Sequence, residues 1–257
     1  MKKSLLSLFV ICAAFTGCTD DSDNSGEPRL SVECYSRASE YTEETQVRDF
    51  AMYVTEYDGY YGELPSPIHV TWGGSTWNYP SLPLTEKSVS LVAFYPYSDS
   101  GVVNSVPMNL VTQTDYLASA TYTVSNENPK VKFTMDHLLS CIQVNVDNSS
   151  DVTIKALDIP LEASYDVNTH ALNIKSTKGY VSTYSQLLLF PETRVISFEI
   201  VCSSKTYHYV TPEIKFQKGK KYTFNLSIDT DENLRLVGDV DVAPWASGAD
   251  YDDVVKN

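Results

Sequence analysis

The sequence predicts an all-β protein assembled from antiparallel β-sandwiches. Three observations lead there. Eighteen tyrosines and twelve prolines stand among many Val, Ile and Thr residues, which is a composition of strands and turns. Several runs alternate apolar and polar residues with period two, so that one face meets a core and the other meets water. Turn-forming clusters recur between the runs: Asp147-Asn148-Ser149-Ser150, Lys178-Gly179, Lys218-Gly219-Lys220 and Asp229 to Asn233. Helical periodicity is hard to find.

The first half is the less regular. Leu30 to Tyr35 reads as a short strand. Val47 to Val54 reads as another, with Val47, Asp49, Ala51 and Tyr53 on one face and Arg48, Phe50, Met52 and Val54 on the other. Ser88 to Tyr97 is a third, followed by an Asp99-Ser100-Gly101 turn. Thr121 to Val124 and Val131 to Thr134 are short strands flanking Asn126-Glu127-Asn128-Pro129. In the second half, Leu138 to Val146 sets Ile142, Val144 and Val146 against Gln143 and Asn145. Leu187 to Phe190 is continuously apolar and ends at Pro191, as expected of a strand buried on both sides. Val195 to Cys202 sets Ile196, Phe198, Ile200 and Cys202 against Ser197 and Glu199. Tyr222 to Ile228 alternates in the same way. A domain boundary is expected near 130, dividing 29–130 from 131–257.

The N-terminus has its own logic. Met1-Lys2-Lys3 is basic, and Leu5 to Phe15 is apolar apart from Ser7. Eleven residues suit a signal-peptide core and fall short of the roughly 20 that span a bilayer as a helix. Thr16-Gly17-Cys18 then resembles the lipobox of bacterial lipoproteins, in which the cysteine is lipidated and heads the mature chain. Residues 1–17 are thus expected to be removed, with Cys18 as the lipidation site. The segment 18–28 is polar and acidic, cannot bury enough apolar surface to order itself, and reads as a tether. It also resembles the surface-export signal of Gram-negative lipoproteins. An acyl anchor adds about 0.8 kcal/mol of membrane affinity per buried CH₂.

Charge and cysteines narrow the classes. Loss of Lys2 and Lys3 takes the net charge from −14 to −16 over 240 remaining residues (257 less 17). No basic patch is present to neutralise phosphates, so a nucleic-acid partner is not expected. Cys34, Cys141 and Cys202 are far apart and show no C-x-x-C spacing, and the four histidines are scattered, so no metal site is expected. Cys141 and Cys202 lie in alternating apolar runs and read as small buried residues.

Several stretches now line up with one family. Phe133-Thr-Met-Asp-His137-Leu-Leu-Ser-Cys-Ile142-Gln-Val144 resembles the F-x-x-x-H-x-(L/M)-(A/S)-x-(I/L)-x-V stretch of fimbrillin-like proteins. Phe94-Tyr-Pro-Tyr97 resembles their aromatic Y-P-Y segment. Gly219-Lys-Lys-Tyr222-Thr-Phe224-Asn-Leu226 resembles their late G-x-x-Y-x-F-x-L strand, and Trp245-Ala-Ser-Gly248 their closing W-x-x-G. These stretches stand in the family's order along nearly the whole mature chain.

The resemblance implies two tandem transthyretin-like sandwiches and a place among the surface lipoproteins of type V pili. There, an Arg-specific protease strips a strand from the first domain, and a strand of a neighbouring subunit fills the groove. This donor-strand exchange is β-augmentation. Arg29, Arg37 and Arg48 are the arginines where such a cut would fall, with Arg37 first to test because it follows the Leu30–Tyr35 strand. Only twelve residues follow Trp245, and the large apolar ones among them are Tyr251, Val254 and Val255, set beside Asp250, Asp252 and Asp253. That is thin for a donor strand, so an anchor, accessory or tip component of the outer membrane fits better than a main-shaft subunit.

Two rival classes stand against this one. For an enzyme, the chain lacks G-x-S-x-G, H-E-x-x-H, a P-loop and a Gly-rich dinucleotide turn, so no cofactor and no catalytic residue is assigned. His137 beside Asp136 reads as a structural, hydrogen-bonding histidine. For an adhesin that binds a surface glycan, Tyr57, Tyr60, Tyr61, Trp72, Trp77 and Tyr79 crowd between glycines, and Tyr60, Tyr61, Trp72 and Trp77 are the candidate stacking rings. Two or more coplanar, solvent-facing rings would favour that alternative, and core packing of the same rings would count against it.

Overall fold

The computed structural model describes residues 28–245, apart from 38–43, 57–66, 100–103 and positions 148, 150, 185 and 203. The expected signal segment, Cys18, the tether up to position 27, Tyr60, Tyr61 and the tail beyond Trp245 lie outside the described residues. Among the described residues the chain is strand and turn, with no helix.

In chain order the strands begin with β1 (Ser31–Arg37), β2 (Glu44–Gln46), β3 (Asp49–Glu56), β4 (Ile68–Trp72) and β5 (Trp77–Asn78). Next come β6 (Val89–Tyr95), β7 (Ser105–Asn109), β8 (Leu117–Ser119), β9 (Tyr122–Val124) and β10 (Lys130–His137). The middle of the chain gives β11 (Ser140–Val146), β12 (Val152–Pro160), β13 (Glu162–Asp166), β14 (Leu172–Ile174), β15 (Lys178–Tyr184) and β16 (Gln186–Leu189). The remainder are β17 (Thr193–Arg194), β18 (Ser197–Cys202), β19 (Lys205–Val210), β20 (Ile214–Lys215), β21 (Lys220–Ile228), β22 (Leu234–Leu236) and β23 (Asp241–Pro244).

The largest sheet runs β2-β1-β10-β8-β6-β3-β4-β5, with β9 also on β6. It curls: Phe133 of β10 meets Phe50 of β3, three strands along the path, with ring centroids 6.0 Å apart. The inside of the curl holds one core, formed by Leu30, Val32, Phe50, Met52, Leu91 and Phe133 with their neighbours. The other face of β3 and β6, with Ala51, Tyr53, Val92 and Phe94, joins a second and larger core that continues through β11, β12, β18 and β21. Val47 to Val54 therefore buries both of its faces where it enters β3.

Three further sheets enclose the second core: β16-β11-β21-β22 with β23 on β21, β15-β12-β18-β19, and β14-β13-β7. In the last of these, β7 pairs with β13, Val106 opposite Tyr165. The expected alternation is visible in β11, where Ile142, Val144 and Val146 are buried while Gln143 and Asn145 face out. Leu187, Leu188 and Leu189 of β16 are all buried, as a continuous apolar run requires. The Val131–Thr134 strand is longer than expected, because Val131, Phe133, Met135 and His137 stay in the buried phase to the end of β10.

Among the described residues the pairing is antiparallel with two exceptions. β1 runs parallel to β10, Ser31 opposite Lys130, and β11 runs parallel to β21, Cys141 opposite Lys221. Parallel neighbours need a long connection, and both pairs have one because the intervening strands are folded into other parts of the sandwiches. Cys34, Cys141 and Cys202 are all buried, and no disulfide joins any two of them.

Candidate functional site: the first strand and the closing tryptophan

β1 is held unevenly along its two edges. All of it but Arg37 lies along β10, from Ser31 opposite Lys130 to Ser36 opposite Met135. The other edge meets only short pieces. Leu30 N–H donates to the Leu82 carbonyl at 3.2 Å, and Arg29 bridges to Pro83. Further on, the Val47 N–H donates to the Cys34 carbonyl, and β2 pairs with Tyr35, Ser36 and Arg37.

Strand alternation decides what β1 buries. Leu30, Val32 and Cys34 are 5%, 3% and 0% exposed, while Ser31 and Glu33 face solvent. Burial of each aliphatic side chain contributes about 1.5–3 kcal/mol. Burial also pushes the Cys34 thiol up, opposed by a backbone hydrogen bond at Tyr35, so this cysteine sits as an inert apolar filler. Tyr79 hydroxyl donates to the Leu30 carbonyl at 2.7 Å, and the Lys132 ammonium lies 4.5 Å from the Tyr35 ring centroid. Without β1, the apolar inside of the curled sheet and the free edge of β10 would both face water.

The three arginines fall at distinct places. Arg29 precedes β1, Arg37 is its last residue, and Arg48 follows β2, where its carbonyl accepts the Trp72 N–H at 2.7 Å. Trp72 and Trp77 are opposite each other on β4 and β5, with rings tilted at 60° and centroids 5.1 Å apart. Trp77 also packs edge-on against the core ring of Phe50, so these two rings do not form one coplanar platform.

A second constellation closes the fold, and of its members His137, Gly219 and Trp245 stand out in the sequence. His137 ends β10, and its Nδ1 is 2.7 Å from Oδ2 of Asp115. The pair is 3% and 0% exposed. Burial pushes the Asp115 carboxyl up, and the His137 charge and hydrogen bond pull it back. Trp245 stacks on the His137 ring with centroids 4.0 Å apart, and its backbone N–H donates to the Gly219 carbonyl. Gly219 N–H donates in turn to Leu139 O. Nearby, the Gln113 carboxamide accepts from Leu188 N–H at 2.6 Å and donates to Leu110 O. These contacts tie the junction together, while Asp115 Oδ1, His137 Nε2 and Trp245 Nε1 are buried without a hydrogen-bond partner among the described residues. Neither Asp115 nor His137 is open to a substrate, which is the expected structural role for His137. Asp115 lies twenty-two residues from its partner in an otherwise polar stretch, and no local signal marks it.

Among the described residues no group of His, Cys, Asp and Glu is arranged to hold a metal ion, and no helix is long and apolar enough to cross a membrane.

Solved structures share this fold. A candidate cell adhesion protein from Bacteroides uniformis ATCC 8492 superposes with a TM-score of 0.66 at 16% identity, covering 86% of this chain and 100% of that one. A candidate cell adhesion protein from Bacteroides ovatus ATCC 8483 gives 0.64 at 17% identity, covering 86% and 99%. A fimbrial protein from Bacteroides vulgatus ATCC 8482 gives 0.51 at 14% identity, covering 85% and 99%. No curated protein matches the sequence. The fimbrillin-like family model matches residues 37–245, from the last residue of β1 to the closing tryptophan, and the chain belongs to that family.

Proposed function

We propose that the protein is a surface-located fimbrial component that works in cell adhesion by β-strand complementation and not by catalysis. Lipid on Cys18 holds the uncut chain at the outer membrane as an anchor, and a cut after Arg37 parts that lipid from the body of the protein, which then serves as an accessory or tip component. Residues 18–28 are the tether, and the first structural unit, taken to the end of β10, is the one that opens. β1 fills its own groove until an Arg-specific protease cuts after Arg37. A strand from another pilus subunit then adds to the edge of β10 and places its apolar residues where Leu30, Val32 and Cys34 had been.

One observation carries this reading: β1 is paired along one edge from Ser31 to Ser36, patched along the other, and ends on an arginine. A cut after Arg29 would leave β1 in place, and a cut after Arg48 would remove β2 as well. The test is mass spectrometry of the protein from its native host, with and without an Arg-specific protease. The expected result is lipidated Cys18 at the start of the untreated chain and Ala38 at the start of the treated one. A chain that keeps Cys18 and resists the protease would remove strand exchange at β1 from the mechanism and leave a permanently anchored component.

A further inference from the structure

The outer face of the β15-β12-β18-β19 sheet is a grid set by strand register. Its first row is Tyr184, Thr153, Val201 and Thr206, each opposite the next on the neighbouring strand. The second row is Ser182, Lys155, Glu199 and His208. The third brings Ser197 and Val210 together, with Leu157 beside them and Tyr180 at the bulge where Asp158 takes a positive φ of 54°. The opposite face of the same strands, with Ile154, Val181, Phe198 and Ile200, is core. Four of the eight large apolar side chains exposed among the described residues lie on this grid: Tyr180 at 60%, Tyr184 at 71%, Val201 and Val210.

The pattern of polarity says what fits there. A protein-binding patch has an apolar centre and a polar rim. This grid is the reverse. Its apolar groups stand at the margins, while Ser182, Lys155, Glu199 and His208 run through the middle. Lys155 and Glu199 lie 3.7 Å apart and compensate each other, so the centre carries no unpaired charge to favour an ionic ligand. Tyr180 and Tyr184 are four residues apart on one strand, hence on one face and about 13 Å apart. The Lys155 ammonium sits 4.5 Å from the Tyr180 ring centroid and orients that ring.

We propose that this face binds a neutral oligosaccharide laid along β15. Tyr180 and Tyr184 take the apolar faces of sugar rings, and Ser182, Thr153, Lys155 and Glu199 bond the hydroxyls between them. Two spaced aromatic rings with donors and acceptors in the gap match a molecule whose faces are apolar and whose edges are hydroxyls. The site is on a different sheet from the Trp72–Trp77 pair and from β1, so it stands or falls independently of processing after Arg37.

The test uses the full chain on a printed array of neutral oligosaccharides alongside sialylated and sulfated ones, followed by calorimetric titration of the hits. Neutral glycans are expected to bind. Tyr180→Ala and Tyr184→Ala should each weaken binding about tenfold, Tyr184→Phe should retain it, and Trp72→Ala should leave it unchanged. Both tyrosines point into solvent, so unchanged thermal melting serves as the folding control. The absence of any neutral hit, a preference for the anionic glycans alone, or hits indifferent to both alanine variants would each overturn the proposal.

Discussion

The indole of Trp245 lies against the imidazole of His137, with ring planes 21° apart and centroids at 4.0 Å. This contact joins the last described residue to the end of β10. It also screens the buried Asp115–His137 hydrogen bond from water. Replacing Trp245 with alanine removes one of the largest fully buried side chains in the protein and leaves a cavity. The expected loss is about 3–5 kcal/mol. Urea unfolding followed by circular dichroism reads it directly, and a loss near zero would show that the stack carries no stability.

Gly219 sits beside that contact with φ +66°, and an added Cβ would come no closer than 3.9 Å to the His137 carbonyl oxygen. Space is therefore available, and the cost of Gly219→Ala is conformational alone. A left-handed L-residue costs roughly 1–2 kcal/mol. The same unfolding measurement should return that value, well below the Trp245 figure.

Val32 is buried in the middle of β1. Val32→Asp places a carboxylate in the apolar curl of the large sheet, at a cost of several kcal/mol by order of magnitude. Because β1 is held along one edge by short pieces only, the expected response is departure of β1 with the rest of the fold retained. Cleavage after Arg37 by an Arg-specific protease should accelerate by at least about tenfold, and Glu33→Asp, on the exposed side of the strand, should change it little. Equal rates for the two variants would contradict this account of β1.

Asp229 gives a pH prediction with a definite sign. Its carboxylate accepts N–H groups from Asn233 and Asp231, and Arg235 lies beside it. The Asn233 bond first, with Asp231 and Arg235 adding, holds its pKa below the ordinary 3.8. A depressed folded-state pKa contributes stability above the unfolded value, and that stability is lost as pH falls through the folded one. The melting-temperature difference between wild type and Asp229→Ala should be full at about pH 6 and shrink below about pH 4. A difference that stays constant down to about pH 2 would rule out the carboxylate as its source.

Period-two strands were the most legible part of the sequence. Ile142, Val144 and Val146 in β11 and Phe198, Ile200 and Cys202 in β18 alternate with more exposed residues, and the buried phase in the fold is the one that alternation marks. β1 was visible for the same reason, through Leu30, Val32 and Cys34. What the sequence concealed depends on partners distant in the chain. Nothing near Asp115 announces His137, and nothing in Leu30 to Tyr35 tells that its neighbour runs parallel. The aromatic crowd at 57–79 drew attention by density, yet Trp77 packs on Phe50 and Tyr79 bonds to Leu30. Tyr180 and Tyr184 were inconspicuous, since only the register of β15 on β12 places them on one open face. Their local signal was Val181, an apolar residue of the opposite phase, whose burial sends both tyrosines the other way.

The parallel pairing of β1 has a consequence for how the chain folds. Ser31 must wait for Lys130, 99 residues later (130 less 31). Closing so long a loop is slow, and contacts of this separation form late. During synthesis, β1 thus exists for a time as an apolar strand with no neighbour, while β3 and β4 can already zip together locally. A nascent chain halted before β10 would display Leu30, Val32 and Cys34 to any protein able to receive an extended strand.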